Sequence, residues 1–302
     1  MKKVLTYFSI IIVVVFIVDV LIGIASKYYV SNYQLAGDYE SIDYLMKEST
    51  DSIIILGSSV ALNSLMPSII EDSLNTTCFN GAANAQRMVF FRTMLECIVK
   101  RHKPKLIILG LDHYGMGLTG IGRYNILTPY YNMGYETIDS CLESKSSYEK
   151  ILLKSNLYRF NTIWFRILLY NFMTPNEKGY KGFIAKSQSL SPTIIKNITD
   201  NGQIYKDRIA DLYKIVNICN NNMIKLIIFF PPTYNHFTKT TGTIKAVTNI
   251  CKKMNVPVYV DCEDTTFLQH SEWFHDNVHL DKDGAIQYSK QFIKHIREEL
   301  EK

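Results

Sequence analysis

Two short stretches, far apart in the chain, carry the residue types of nucleophilic acyl chemistry. Ser58 and Ser59 end the apolar run of ILGSSVALN (residues 55–63), and Asp276 and His279 stand three residues apart near the carboxyl end. A serine hydroxyl becomes a useful nucleophile when a base removes its proton, and the base works best when a carboxylate fixes its tautomer. Because Asp276 and His279 supply both groups on one local turn, the sequence predicts acyl chemistry at one of the two serines.

Both stretches also have purely structural interpretations. A serine after a strand can cap a helix or close a turn. Asp276 and His279 can form the turn that leads into the last helix, with Asp281 as its N-cap. The chemical interpretation therefore requires a fold that brings a serine to the histidine.

The elements that must position these residues alternate between strands and helices. Short apolar or aromatic runs bounded by turn residues predict five strands, at residues 52–57, 77–80, 105–111, 225–230 and 256–261. Helical periodicity follows at residues 87–100, 205–219, 243–254 and 281–300. Because parallel strands need crossover connections, this order predicts a five-stranded parallel sheet covered on both faces, an α/β three-layer sandwich.

Polar or small residues follow the ends of the predicted strands. Active sites of open α/β sheets gather at the carboxyl ends of the strands. Four stretches are expected there: the serines, NGAANAQ (residues 80–86), GLDH (residues 110–113) and WFHDNVHLDKDGA (residues 273–285). The turn after the second strand is placed to offer an amide where negative charge develops on an acyl oxygen.

These four blocks, in this order, resemble the SGNH (GDSL-like) hydrolase superfamily, particularly its membrane-anchored members that act on cell-surface polymers. The resemblance covers residues 50–300 and implies a flavodoxin-like SGNH fold. It places the nucleophile on Ser59, the base on His279 and the orienting carboxylate on Asp276, and it leaves Ser58 as a structural turn residue.

The resemblance also implies an oxyanion hole, in which this sequence departs from the family pattern. The hole is expected to use the Ser59 amide, the amide at the family's second-block glycine, which is Ala85 here with Gly81 as the alternative, and Asp112 in place of an asparagine. An ionised carboxylate cannot donate a hydrogen bond. Either Asp112 is protonated, or the hole relies on backbone amides, or activity is altered or lost.

Two histidines, His113 and His275, are candidates for the edge of the site. The function implied by the resemblance is a membrane-anchored, extracytoplasmic serine esterase or O-acyltransferase acting on acyl groups of a cell-surface polysaccharide, with a membrane acyltransferase as a further partner. The alternative, favoured by Asp112, is a catalytically inactive protein of the same fold that binds glycan or scaffolds a surface-polymer export complex. Neither interpretation requires a cofactor.

The amino terminus predicts a membrane anchor. Lys2 and Lys3 precede an apolar run at residues 4–25, whose 22 residues would extend about 33 Å. Since these lysines outweigh Lys27, we expect a single pass through the cell membrane with the amino terminus in the cytoplasm. A signal peptide or a buried core helix are the alternatives. Asp19 would cost about 2.5–3.5 kcal/mol at mid-bilayer, but it lies toward the outer end of the span.

The rest of the chain is predicted to form a tether and one domain. Residues 26–50 are expected to be the tether and residues 51–302 the α/β domain, with an insertion at about 113–222. The tyrosines of the insertion pack a loop onto a core or form an aromatic glycan platform; they are Tyr124, Tyr130, Tyr131 and Tyr135.

Composition and the remaining motifs exclude several functions. The net charge of +5 is spread along the chain, which is not the clustered footprint of a nucleic-acid-binding protein. The six cysteines have no metal-ligand spacing, so no metal site is expected. Residues 115–120 match the dinucleotide pattern GxGxxG, but IGRYNILTPYY after it does not read as the helix that this motif requires.

Overall fold

The computed structural model describes residues 2–32, 38–117, 122–161, 163–164, 179–187, 196–198, 202–237 and 241–302. The chain divides into two compact units. The first, called here the helical unit, comprises Met1–Glu40 and Tyr124–Asn176. The second, the sheet unit, comprises Ser41–Arg123 and Glu177–Lys302.

The helical unit begins with a long apolar helix, α1 (Lys2–Asn32). This helix is long and apolar enough to cross a membrane, a test that a signal sequence also passes. Among the described residues of this unit, the other elements are short: a 3-10 helix (Tyr124–Tyr130), α6 (Glu136–Glu143) and α7 (Glu149–Leu152). Residues 156–161 are also helical.

One face of the carboxyl half of α1 is covered within the helical unit. Its buried residues recur at helical spacing, namely Gly23, Ser26 and Val30. Residues 4–18, in contrast, are exposed along their whole length. The helix therefore has an uncovered amino-terminal half and a carboxyl half that packs on one side only.

The tyrosines of the predicted insertion lie in the helical unit. Tyr124, Tyr130 and Tyr131 are buried, and Tyr135 is partly exposed. Three of the four are therefore buried and do not form an exposed platform. The segment predicted as a tether contains the end of α1 and a further helix, α2 (Asp38–Lys47).

The sheet unit contains a five-stranded sheet at the positions that the sequence predicts. Its strands are β1 (Ile53–Gly57), β2 (Cys78–Asn80), β3 (Leu106–Gly110), β5 (Lys225–Phe230) and β7 (Val258–Val260). Their order is β2-β1-β3-β5-β7, and every pairing is parallel. This is the doubly wound order of flavodoxin-like sheets, whose topological switch point lies between β1 and β3.

Both faces of this sheet are covered by helices. Successive residues of β1 and β3 point to opposite faces of the sheet, and all of them are buried. Ile53 and Ile55 belong to a core that includes residues of the last helix, while Ile54 between them is fully buried on the opposite face. The helices of the unit are α3 (Ser59–Leu62), α4 (Pro67–Leu74), α5 (Met88–Arg101), α8 (Lys206–Asn221), α9 (Gly242–Lys253), α10 (Thr265–Leu268) and α11 (Lys282–Glu301). The predicted three-layer α/β architecture is confirmed.

A second, two-stranded parallel sheet was not predicted. It pairs β4 (Lys196–Ile198) with β6 (Asn235–Phe237). Both strands are only three residues long, and neither is a mainly apolar run that would mark a strand in the sequence.

Candidate active site

The two serines lie where β1 turns sharply into a short helix. β1 ends at Gly57, whose φ of 149° favours glycine. A Cβ at this position would collide with the carbonyl oxygen of Gly110 and the side chain of Ala61, so only glycine lets β1, β3 and α3 approach this closely. Ser58 is the N-cap residue of α3, and Ser59 is its first residue. The Ser59 amide therefore lies in the first helical turn, where amides have no acceptor within the helix.

The loop after β2 is fastened to α3 by one buried asparagine. Asn80 Nδ2 donates to the carbonyl oxygens of Ala61 and Leu65, both at 3.1 Å. Its Oδ1 accepts from the Ala82 amide at 3.1 Å. Because Asn80 is completely buried, its hydrogen bonds hold the loop and the serine-bearing helix in one arrangement.

The amides at the start of this loop are already engaged. Gly81 donates to the carbonyl oxygen of Ile55 at 2.8 Å, and Ala83 donates to that of Gly57 at 3.0 Å. A donor for an oxyanion must therefore come from further along the loop. Ala85 has a φ of 57°, a left-handed conformation that glycine adopts most readily, at the position where the resemblance expects a glycine.

The histidine lies on a tight loop that precedes α11. Phe274 and Leu280 form an antiparallel bridge across the base of the loop, and the His275 amide donates to the His279 carbonyl oxygen at 2.9 Å. Asp281 then caps α11 by accepting from the Gly284 amide at 2.8 Å, as the sequence predicts.

A second asparagine joins this loop to the chain that follows β5. Asn277 Nδ2 donates to the Tyr234 carbonyl oxygen at 2.9 Å. The Asn277 carbonyl oxygen accepts from the Tyr234 amide at 3.0 Å and from Asn235 Nδ2 at 2.7 Å. These hydrogen bonds fasten the loop that carries Asp276 and His279 to Tyr234 and Asn235.

Ser59, His279 and Asp276 form one continuous chain of contacts. Ser59 Oγ lies 2.8 Å from His279 Nε2, and His279 Nδ1 lies 2.8 Å from Asp276 Oδ2. The other carboxylate oxygen, Oδ1, accepts from the Val278 amide at 2.8 Å and from the His279 amide at 2.9 Å. Two residues that are 220 positions apart in sequence are therefore in hydrogen-bond contact.

These contacts decide which nitrogen of His279 carries the proton. A carboxylate can only accept, so Nδ1 of His279 donates to Asp276 and Nε2 is left to accept from the Ser59 hydroxyl. Burial alone would raise the pKa of Asp276, but the hydrogen bonds from the His279 ring and from the Val278 and His279 amides hold it well below its ordinary value. The arrangement is that of a serine with its base and orienting carboxylate.

Asp112 lies in the turn after β3 and lines a small cavity with residues of the neighbouring loops. Ser58, Gln86 and Arg87 also line this cavity. Asp112 Oδ1 accepts from the Tyr114 amide at 2.7 Å. Burial lowers the pKa of Arg87, while attraction to the Asp112 carboxylate acts in the opposite direction. The structure thus brings Asp112 beside Ser58 and close to a guanidinium.

The other predicted residues have mainly structural contacts. Ser58 is buried, and its Oγ has no hydrogen-bond partner among the described residues. His113 is buried with its ring against Tyr114 and Phe237, at centroid distances of 4.2 and 4.8 Å. His275 Nδ1 is 2.7 Å from the Ser187 carbonyl oxygen.

Two residues that hold the site, Asn80 and Asn277, were not predicted as such. Both stand inside the quoted blocks, at a strand end and beside Asp276. Their partners, however, come from α3 and from the chain after β5, which local spacing does not reveal.

The described residues contain no group of three His, Cys, Asp or Glu side chains that could hold a metal ion. All six cysteines are buried. Of the GxGxxG match, residues 115–117 lie in a turn, and residues 118–120 lie outside the described part of the chain.

Comparisons with known proteins find similarity to solved structures, but none to a family profile or to a curated sequence. No protein-family profile matches the chain, and no curated protein matches it. A solved structure assigned to the G-D-S-L lipolytic family, from Desulfitobacterium hafniense DCB-2, has a TM-score of 0.41 and 10% identity over 81% of this chain and 99% of that one. A lipase/acylhydrolase from Enterococcus faecalis has a TM-score of 0.37 and 9% identity over 82% and 95%.

A gut microbial diltiazem-metabolizing enzyme is similar at a TM-score of 0.37 and 12% identity, over 82% of this chain but only 46% of that one. Such distant likenesses carry no argument about function. The functional interpretation depends on the geometry of Ser59, His279 and Asp276.

Proposed function

We propose that the chain is a serine esterase or O-acyltransferase in which Ser59 is the nucleophile, His279 the base and Asp276 the orienting carboxylate. The observation that carries this proposal is the pair of 2.8 Å contacts that join Ser59 Oγ to His279 and His279 to Asp276. His279 and Asp276 are both partly exposed, so a substrate can reach the hydroxyl.

The reaction follows from the proton positions. Ser59 Oγ attacks the carbonyl carbon of an ester while its proton passes to His279 Nε2, and the carbonyl oxygen becomes an oxyanion. When the tetrahedral intermediate collapses, the ester C–O bond breaks and His279 returns the proton to the departing alcohol. Water or an acceptor hydroxyl then attacks the acylated serine by the same steps, which gives hydrolysis or acyl transfer.

The oxyanion is expected to be stabilised by backbone amides, with Ser59 and Ala85 as the donors. The Ser59 amide lies in the first turn of α3, and the Gly81 and Ala83 amides are occupied by Ile55 and Gly57. Asp112 is the third member of this proposed oxyanion hole, and its contribution depends on whether it can donate.

The proposed setting is the outer face of the cell membrane. Support for an anchor, as opposed to a cleaved leader, comes from α1 itself, because Gly23, Ser26 and Val30 on one face of this helix are buried. Cleavage after the apolar run would remove part of this covered face. The orientation of the span, the surface polysaccharide as acyl carrier and a membrane acyltransferase as partner rest on the lysine asymmetry and on the sequence resemblance.

The proposal is tested by labelling the purified full-length protein with a fluorophosphonate probe. Ser59→Ala should abolish labelling, because the hydroxyl in contact with His279 is lost. Ser58→Ala is the matched control on the adjacent residue, whose hydroxyl is buried, and it should retain labelling. Labelling that survives Ser59→Ala and disappears in Ser58→Ala would assign the nucleophile to Ser58.

The second candidate function is a catalytically inactive scaffold or glycan-binding protein, and Asp112 is the observation that favours it. Its Oδ1 accepts from the Tyr114 amide, and the Arg87 guanidinium is near enough to attract it, which suits a carboxylate. A carboxylate beside a developing oxyanion would repel it. Absence of labelling in the wild-type protein would support this alternative.

Asp112→Asn separates these possibilities, since asparagine can donate and has a similar size. If Asp112 is a carboxylate in the oxyanion hole, turnover of an activated acyl ester should rise, by up to about 10²–10³. Equal rates for the wild type and the variant would place Asp112 outside the hole.

A further inference from the structure

We propose that residues 148–157 of the helical unit form a second membrane contact, in which an apolar surface beside α1 enters the lipid interface. The surface comprises Tyr148, Ile151, Leu152 and Leu157, and it is called here the interfacial patch. The proposal is independent of the esterase chemistry and requires only that α1 is embedded in a bilayer.

The patch is a concentration of exposed apolar side chains. Tyr148 and Ile151 are 71% and 65% exposed, and Leu152 and Leu157 are 42% and 39% exposed. Outside α1, the described residues include eight exposed large apolar side chains, and four of them belong to these ten positions. Scattered apolar side chains are normal on a protein surface, but a contiguous group indicates a partner.

Hydrogen bonds tie this segment to the apolar helix. Asp19 Oδ1 accepts from Ser155 Oγ at 2.6 Å and from the Leu157 amide at 2.8 Å. Asp19 Oδ2 accepts from the Asn156 amide and from Asn156 Nδ2, both at 3.0 Å. Since helical residues 156–161 begin at these amides, Asp19 satisfies donors that have no acceptor within their own helix.

The position of Asp19 along α1 sets the depth of the segment. Asp19 precedes the end of the apolar run, at residue 25, by six residues, which is about 9 Å of helix. Groups bonded to Asp19 therefore lie inside the apolar band of the span or at its boundary. Gly23 allows this approach, because a Cβ there would collide with the side chain of Asn156.

The charges around the patch match a lipid surface. Lys150 and Lys154 are exposed on the same segment, and Lys150 Nζ lies 3.5 Å from Glu143 Oε2 at the surface. Glu149 is buried and paired with Lys145 at 3.2 Å. Exposed lysines beside apolar and tyrosine side chains are typical of segments that lie in the headgroup region, where lysine reaches anionic phosphates. We therefore assign the lipid bilayer as the partner of the patch.

Tryptophan variants of the full-length protein in lipid nanodiscs test this assignment. Ile151→Trp and Leu157→Trp are compared in discs with and without dibrominated phosphatidylcholine, which quenches tryptophan in contact with acyl chains. Emission of the introduced tryptophan, taken as the difference from wild type, should be lost in brominated discs. The positive control is Phe16→Trp on the exposed half of α1, and the negative control is Met223→Trp, an exposed position that follows three asparagines.

Quenching of both patch variants to an extent similar to Phe16→Trp would support the proposal. Quenching no greater than that of Met223→Trp, while Phe16→Trp is quenched, would overturn it and would mean that the patch faces water or another protein. Leu152→Trp supplies the same measurement if one of the patch variants fails to fold, which its thermal melting reports.

Discussion

Asp276 in the sheet unit and Asp19 in the helical unit both accept hydrogen bonds from two backbone amides. The donors of Asp276 are the amides of Val278 and His279, two and three residues further along the chain. The amide donors of Asp19 belong to Asn156 and Leu157, which are 137 and 138 residues away. One aspartate shapes its own turn, and the other joins two distant segments.

The two aspartates also differ in the side chains that donate hydrogen bonds to their oxygens. At Asp276 both amides bond to Oδ1, and Nδ1 of the His279 ring lies 2.8 Å from Oδ2 and 3.0 Å from Oδ1. At Asp19 each oxygen accepts two hydrogen bonds from residues 155–157. The side chain bonded to Asp276 is a base in contact with Ser59, so this carboxylate can orient a base. The donors to Asp19 all belong to residues 155–157, so that carboxylate holds structure.

Asp276→Asn tests this distinction with the largest expected effect. Asparagine Oδ1 can still accept from the two amides, but its Nδ2 donates, so His279 would carry its proton on Nε2 and could not accept from Ser59. We expect kcat on an activated ester to fall by about 10⁴. The measurement is steady-state turnover of the purified protein.

The matched control is Asp281→Asn on the same loop. Asparagine caps helices as well as aspartate does, so the bond to the Gly284 amide is kept and activity should stay near that of the wild type. Similar losses in both variants would mean that the loop tolerates no change at all, and that the tautomer argument for Asp276 is wrong.

Asp19→Ala tests the structural side of the comparison. A hydrogen bond to a charged group contributes about 1.5–3 kcal/mol, so without Asp19 the amides of Asn156 and Leu157 should exchange hydrogen about 10-fold to 100-fold faster. Exchange followed by mass spectrometry on peptides of residues 150–161 measures this. Lys27→Gln, at an exposed position of the same helix, should leave exchange unchanged; equal exchange in Asp19→Ala and wild type would contradict the structural role.

The same difference in sequence separation explains what could be predicted. The central strands are predictable because they are apolar runs buried from end to end, as in Ile53–Gly57 and Leu106–Gly110. The pair of Asp276 and His279 was found because its spacing is local. The serine was joined to them by family resemblance, since a contact across 220 residues leaves no periodic trace.

The contacts that were missed are long-range and polar. Asn80 holds α3 through carbonyl oxygens of Ala61 and Leu65, and any asparagine after a strand would look the same in sequence. Asp19 was recognised as costly within an apolar span, but its partners at residues 155–157 could not be deduced. A side chain's type can be read locally, whereas its partner is determined by the fold.

The smallest expected effect concerns the pH dependence of stability, where Asp276 and Asp281 should behave in opposite ways. The pKa of Asp276 is lowered in the folded protein, so its stabilising contribution is present above the ordinary aspartate value of about 3.9 and is lost as pH falls below it. Burial raises the pKa of Asp281 in the folded protein. Its protonated carboxyl group therefore favours the folded state at low pH, and this contribution is lost as pH rises through the raised pKa.

Melting temperatures of the wild type, Asp276→Asn and Asp281→Asn between pH 3 and 7 measure these contributions. The advantage of the wild type over Asp276→Asn should be constant near neutral pH and shrink at the acid end. Its advantage over Asp281→Asn should grow toward the acid end, because the wild-type carboxyl binds its proton more tightly when folded. The shifts are expected to be small for Asp276, since its side chain is about half exposed and solvent screens its interactions. An advantage over Asp276→Asn that does not shrink at the acid end would show that the Asp276 carboxylate is not held in its charged form by His279 and the two amides, and an advantage over Asp281→Asn that shrinks there would contradict the raised pKa of Asp281.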